Sequence, residues 1–392
     1  MDNFALLAQI EALEQNLARV EQILEAREIP EEFRDAVRSR FNRMLRKQTV
    51  ALSKLRERVQ KGKISPELAW SSFRMARQES GPIFRECLEF LGGVVIRDKG
   101  LDKGICQVTD ELVRRYAQDT DVKWGRLTIL GEEHFLDPVA DIIRLRFPEW
   151  DVWNLPFTAH EFGHVVANEM AADEEKDFQE LLKQGLDEQK KSYLNELFAD
   201  AFATYILGPA YACASILLRF DPSAAYADAE HHPSHAKRVY FIFEALEKIN
   251  FSLKGSGVLA KGPYRDIIDG LKETWEDALK ETEPGGGLGD EDKGLLKFWF
   301  SRIYDKSLDL EFGPTVMYAG WNAAKMLSGE LLKARPASAK LTGTEELRDV
   351  LNAAWHCRLY NPPQKTREIG QAAAQLCFEL AEPKPLLRQR PM

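Results

Sequence analysis

Two histidines and a glutamate in LPFTAHEFGHVVANEM, residues 155–170, are the side chains of this sequence best spaced to do chemistry. On a helix, positions four apart stand one turn apart on one face. His160 and His164 can therefore aim imidazole nitrogens at a single metal ion, with Glu161 beside them. Zinc-assisted hydrolysis needs such a set: neutral nitrogen ligands, a carboxylate able to take a proton from water, and an open coordination position. A third ligand lies downstream in NELFAD. Glu196 follows His164 by 32 residues, and Asp200 stands one turn further along an otherwise apolar helix, LFADAFATYIL. Two carboxylates on that face are costly unless a cation or a donor meets them. A metal ion for Glu196, and a ring N–H of a ligating histidine for Asp200, supply both. HHPSHAKR adds His231, His232, His235 and Arg238. Any of its histidines is an alternative ligand to Glu196, although that choice leaves the NELFAD carboxylates unexplained.

The elements that must hold these residues are mainly helical. Leu6, Ile10, Leu13, Leu17, Val20 and Leu24 alternate at spacings of four and three, a heptad seam that Pro30 ends. Phe33, Val37, Phe41, Met44, Ala51, Leu55 and Val59 continue at helical spacing, so the first sixty residues read as a helical hairpin. Ser65-Pro66-Glu67 reads as a helix start, and Gly81-Pro82 as the start of another helix. RLTIL (126–130) and VADIIRLRF (139–147) read as strands. The charged stretch 171–192 reads as a surface helix or excursion, and PGGGLGDED (284–292) as a hinge or boundary. The expected organisation is α+β and predominantly α-helical. It comprises a helical region 1–118 with the hairpin, a core at 119–252 with a small sheet and the histidines, and a helical region 253–392.

Composition narrows the function classes. Apolar residues make up 44% of 392, enough for a real core, and the net charge of -9 disfavours a protein that coats nucleic acid. Between Arg34 and Lys63 there are eleven Lys or Arg against Asp35 and Glu57. Without interleaved aromatics this reads as a solvated face rather than a surface for nucleic acid or membrane. The charge-free run Ala201–Leu218 is broken by Gly208-Pro209 and reads as buried helix, not as a membrane span. Cys87, Cys106, Cys213, Cys357 and Cys377 are scattered and form no C-x-x-C pair. Together with an N-terminus lacking signal-peptide character, they lead us to expect a cytoplasmic protein.

H-E-x-x-H followed by N-E-x-x-x-D resembles the gluzincin branch of zinc metallopeptidases. The HPSHAKR segment is similar to the H-P-x-x-x-x-R segment of gluzincin endopeptidases related to those that process prenylated proteins. The likeness spans roughly residues 126–245, and the membrane spans of the prenyl-protein proteases have no counterpart here. It implies a zincin-like core in which His160, His164 and Glu196 hold zinc and Asp200 orients a ligand. It further implies that Glu161 is the general base, with His232 and Arg238, or a tyrosine such as Tyr205 or Tyr211, on the oxyanion side. The expected substrate is a protein or peptide, laid along the strand edge of VADIIRLRF. A regulatory protein partner docking on the N-terminal helices is expected if the flanking regions hold the enzyme latent. The alternative reading is a helical adaptor or sensor whose zinc site is structural or degenerate. A deformylase-like hydrolase is disfavoured because that family's companion Cys and Gln motifs are missing.

Overall fold

The computed structural model describes residues 4–25, 31–124, 128–131, 135–137, 142–146, 151–254, 262–283, 285–333, 345–361 and 363–381. Within them the chain is predominantly helical with one small sheet, an α+β arrangement. It forms two compact units: residues 1–106 with 126–148, and residues 107–125 with 149–392.

In the first unit, α1 (Phe4–Leu24), α2 (Glu31–Gln60) and α3 (Pro66–Asp98) share a core. Leu6, Ile10, Leu13, Leu17 and Leu24 of the heptad seam are buried, as are Phe41, Leu45, Leu52, Leu55 and Val59 of α2. Pro30 and the side chains of Phe33 and Val37 lie outside the described structure. Ser65 caps α3, its hydroxyl oxygen accepting from the Leu68 N–H at 3.4 Å. Pro82 does not start a new helix but lies inside α3. Phe73, Ala76, Ile83, Cys87 and Phe90 form one buried stripe through it, and that packing outweighs the backbone bond the proline removes.

The sheet has three strands, β1 (Thr128–Gly131), β2 (Phe135–Asp137) and β3 (Ile142–Arg146), in the order β1-β3-β2. β3 is parallel to β1 and antiparallel to β2. It is therefore the central strand, paired on both sides, and the free edge expected there for an extended substrate is already taken. α3 lies against β1 at Gly93, where a Cβ would stand 2.2 Å from the Leu130 carbonyl oxygen. Arg97 Nη1 also donates to the Thr128 carbonyl at 2.6 Å. The strands thus group with the N-terminal helices, and the HEFGH segment belongs to the second unit.

The second unit takes most of α4 (Ile105–Thr120), then α5 (Phe157–Ala172), α6 (Asp177–Leu182), α7 (Glu188–Leu207), α8 (Pro209–Ala214) and α9 (His235–Leu253). α10 (Arg265–Thr282), α11 (Asp290–Phe300), α12 (Asp309–Val316), α13 (Trp321–Lys333), α14 (Leu347–Tyr360) and α15 (Thr366–Ala381) complete it. The glycine-rich turn falls between α10 and α11, inside this unit. α7 is the core helix: every residue from Tyr193 to Leu207 except Asn195 is buried. Such a helix must be apolar nearly all round, as its sequence is.

The charge-free run breaks where Gly208 adopts φ +67 and Pro209 opens α8. The break exposes backbone groups inside the core, and Asn352 of α14 satisfies two of them. Its Nδ2 donates to the Leu207 carbonyl at 2.8 Å and its Oδ1 accepts from the Ala210 N–H at 2.9 Å. Among the described residues no helix is long and apolar enough to cross a membrane.

Candidate metal centre

α5 and α7 approach so closely that a Cβ on Gly163 would lie 2.8 Å from Ala199 Cα and 3.1 Å from its carbonyl oxygen. The pair runs antiparallel, since His160 faces Asp200 while His164 faces Asn195 and Glu196. Two residues four apart on α5 are thereby matched by two residues four apart on α7.

His160, His164 and Glu196 each offer a ligand atom, and these atoms lie within 4.8 Å of one another. His160 Nε2 stands 3.5 Å from Glu196 Oε2, and His164 Nε2 stands 3.4 Å from Glu196 Oε1. Both rings thus turn the same nitrogen toward one carboxylate. Their other nitrogens are engaged behind: His160 Nδ1 lies 3.0 Å from Asp200 Oδ1, and His164 Nδ1 lies 2.7 Å from Asn195 Oδ1. With each Nδ1–H donating to its oxygen, both Nε2 lone pairs are left for an ion.

Asp200, wholly buried, anchors the support. Arg238 donates to it from Nε and from Nη2, each at 2.7 Å, and the Tyr211 hydroxyl donates to its Oδ1. The same hydroxyl is 3.2 Å from His160 Nδ1. Burial alone would raise the carboxyl pKa values of Asp200 and Glu196. The Arg238 guanidinium and the imidazoles beside them outweigh it and hold both well below the ordinary carboxylate range. Burial opposes the charged form of His160, yet the Asp200 and Glu196 carboxylates beside it raise its pKa above the ordinary value. Burial pushes the Tyr211 phenol well up, and Asp200 beside it pushes it further, so Tyr211 stays a donor.

The remaining residues singled out in the sequence fall into three groups. Glu161, next to His160 in the chain, is buried, and its side chain has no hydrogen bond or ion pair among the described residues. His232 is half exposed, its Nε2 3.5 Å from Glu196 Oε1, and burial lowers its pKa. His231 is largely exposed, and His235 stacks on Phe220 and accepts from the Asp221 N–H. The structure therefore brings His232, and neither of its neighbours, to the ligand cluster.

Arg238 and the tyrosines differ from expectation in where they point. Arg238 is 4% exposed and spends its donors on Asp200, with Nη1 a further 3.4 Å from Glu196 Oε2. Tyr211 is committed to Asp200, and Tyr205 donates to the Gly313 carbonyl at 2.5 Å. Asn195 was not expected as the partner of His164. Its place beside Glu196 in NELFAD was the available signal.

The donor set fits a small tetrahedral ion. Ligand atoms at about 2.0–2.1 Å from such an ion stand about 3.3 Å apart, close to the 3.4 and 3.5 Å seen between Glu196 and the two histidines. Glu196 Oε2 is buried with no hydrogen-bond partner among the described residues, His160 Nε2 and Arg238 Nη1 standing off at 3.5 and 3.4 Å, and an ion would satisfy it. The chain gives no significant match to any protein-family model, curated protein or solved structure.

Proposed function

We propose that the protein is a zinc-dependent metallopeptidase of gluzincin type, built on a zincin-like core and acting on a protein or peptide. The observation that carries this reading is the convergence of two Nε2 atoms on the buried Glu196 carboxylate, with Glu161, next to His160 in the chain, buried and without an ion pair among the described residues. Zinc held there supplies Lewis acidity that makes water a nucleophile near neutral pH. Glu161 takes the proton of that water and returns it to the leaving amine. His232, half exposed at the rim, donates to the oxygen on which negative charge develops. Arg238 and Tyr211 act from behind: they hold Asp200, which holds His160.

Replacing Glu161 with Gln removes the base and leaves the ligands, so zinc stoichiometry should stay at one while cleavage disappears. Proteome-wide cleavage profiling of wild type against Glu161→Gln tests this, and equal cleavage by the two proteins overturns the assignment. A second reading, a helical adaptor whose site is degenerate, is favoured by one contact. Arg238 Nη2 lies 3.5 Å from His160 Nε2, so the guanidinium occupies space beside the metal-facing nitrogen. Protein that binds no zinc and cleaves nothing would favour that reading.

A further inference from the structure

We infer that α2 docks on α10 of a second copy of this chain, a basic helix face against an acidic one. The basic run of the sequence is not spread around α2. Phe41, Leu45, Leu52, Leu55 and Val59 turn one side of the helix into the core. Arg43, Arg46, Lys47, Lys54 and Arg58 stand on the opposite side, where helical spacing stacks them in one row. All five are exposed, and none makes an ion pair or hydrogen bond among the described residues. Two nearby cations are already paired, Arg56 with Glu14 and Lys61 with Glu57. Half-exposed Val50 lies at the centre of the row and offers an apolar contact between the charges.

The chain carries the complement of this face in α10. There Ile267, Ile268, Leu271 and Trp275 are buried. Asp266, Asp269, Glu273, Glu276, Asp277 and Glu281 are exposed on the other side, together with Lys280. Asp277 pairs with Lys280 at 2.9 Å, and Asp269 with Arg265 at 3.4 Å. The other four acids make no ion pair among the described residues. Arg43 to Arg58 and Asp266 to Glu281 are each fifteen residues apart, about 22 Å of helix. The two rows match in length and both advance by helical turns, so they keep step when laid along each other.

The charge of the chain is divided in the same sense. Residues 1–106 with 126–148 hold 22 Lys or Arg against 20 Asp or Glu, and the remainder holds 31 against 42. The acidic excess thus lies in the unit that carries α10, whereas α2 belongs wholly to the other. Nucleic acid or an anionic bilayer would meet the same five cations. The exposed side of α2 from Arg43 to Arg58, however, presents no aromatic ring for base stacking and no broad apolar face for insertion. A single exposed ion pair contributes little, so the contact depends on the two rows together and weakens as salt screens them.

Sedimentation velocity of the full-length protein tests this. Wild type should self-associate at low salt, and its dissociation constant should rise at least about tenfold between about 0.1 and about 1 M salt. Lys47→Glu with Lys54→Glu reverses the basic row, and Glu273→Lys with Glu276→Lys reverses the acidic one. Each double variant alone should stay monomeric with an unchanged circular dichroism spectrum. Mixed in equal amounts, the two should associate again, because each reversed face then meets its opposite; misfolded variants would show no such rescue. A wild type that is monomeric at low salt, association that survives either double substitution, or a mixture that stays monomeric overturns the proposal. So does a monomeric chain that binds a labelled oligonucleotide or anionic phospholipid vesicles through Lys47 and Lys54, which assigns α2 to a different partner.

Discussion

His160 must give up a proton before it can hold an ion. Asp200 and Glu196 raise its pKa above 6.5 in the metal-free protein, so just above that pH its Nε2 still carries hydrogen. Zinc competes with that proton. Apparent zinc affinity should therefore climb as pH rises through the region above 6.5 and level off once His160 is neutral. Calorimetry in buffers of different ionisation enthalpy would show about one proton released per ion at the low end and none at the high end; pH-independent affinity contradicts the geometry. The ligands were legible in the sequence because H-E-x-x-H and N-E-x-x-x-D each place two groups on one helical face. The role of Arg238 was not. Its spacing from His232 puts it near the centre but does not say whether it faces the opening or Asp200. That direction depends on where α9 packs against α7, a contact between residues 38 apart in sequence.

The α5–α7 pair makes a sharper demand on glycine than helix propensity does. Alanine at an exposed, unstrained helical glycine usually stabilises by about 0.5–1 kcal/mol. Gly270 in α10 meets that description, with nothing within 4 Å of a built Cβ. Gly163 does not, because its added methyl would meet Ala199 backbone at 2.8 Å, and backbone cannot rotate away as a side chain can. Gly270→Ala should therefore raise the urea midpoint. Gly163→Ala should lower stability by about 1–3 kcal/mol, the usual cost of overpacking, and weaken zinc binding with it. Stabilisation by both substitutions would mean the helices are not in that contact. The break at Gly208-Pro209 could be anticipated from the sequence. β2 could not: three residues show no periodicity. Nor could the course of α3 through Pro82, since the stripe that holds it together outlasts a local signal which alone says stop.

At the scale of the molecule, the five cysteines test whether the described core is closed. All are buried, and burial pushes the thiols of Cys87, Cys357 and Cys377 up to about 12. Native protein should show almost no reaction with a thiol reagent near neutral pH, and denatured protein should show five equivalents. Fast native labelling of one cysteine would locate an opening in the core. The strands precede the histidines closely in sequence and pack with α3 in the first unit, a pairing that long-range contacts decide. The burial of α7 has one more consequence. Two ligand helices locked face to face cannot reshape themselves around whichever ion arrives. On intrinsic affinity, copper would outcompete zinc at a site of two imidazoles and a carboxylate. If an ion is held by His160, His164 and Glu196, a frame packed this closely would leave coordination geometry, rather than bond strength, as the means of choosing between metals.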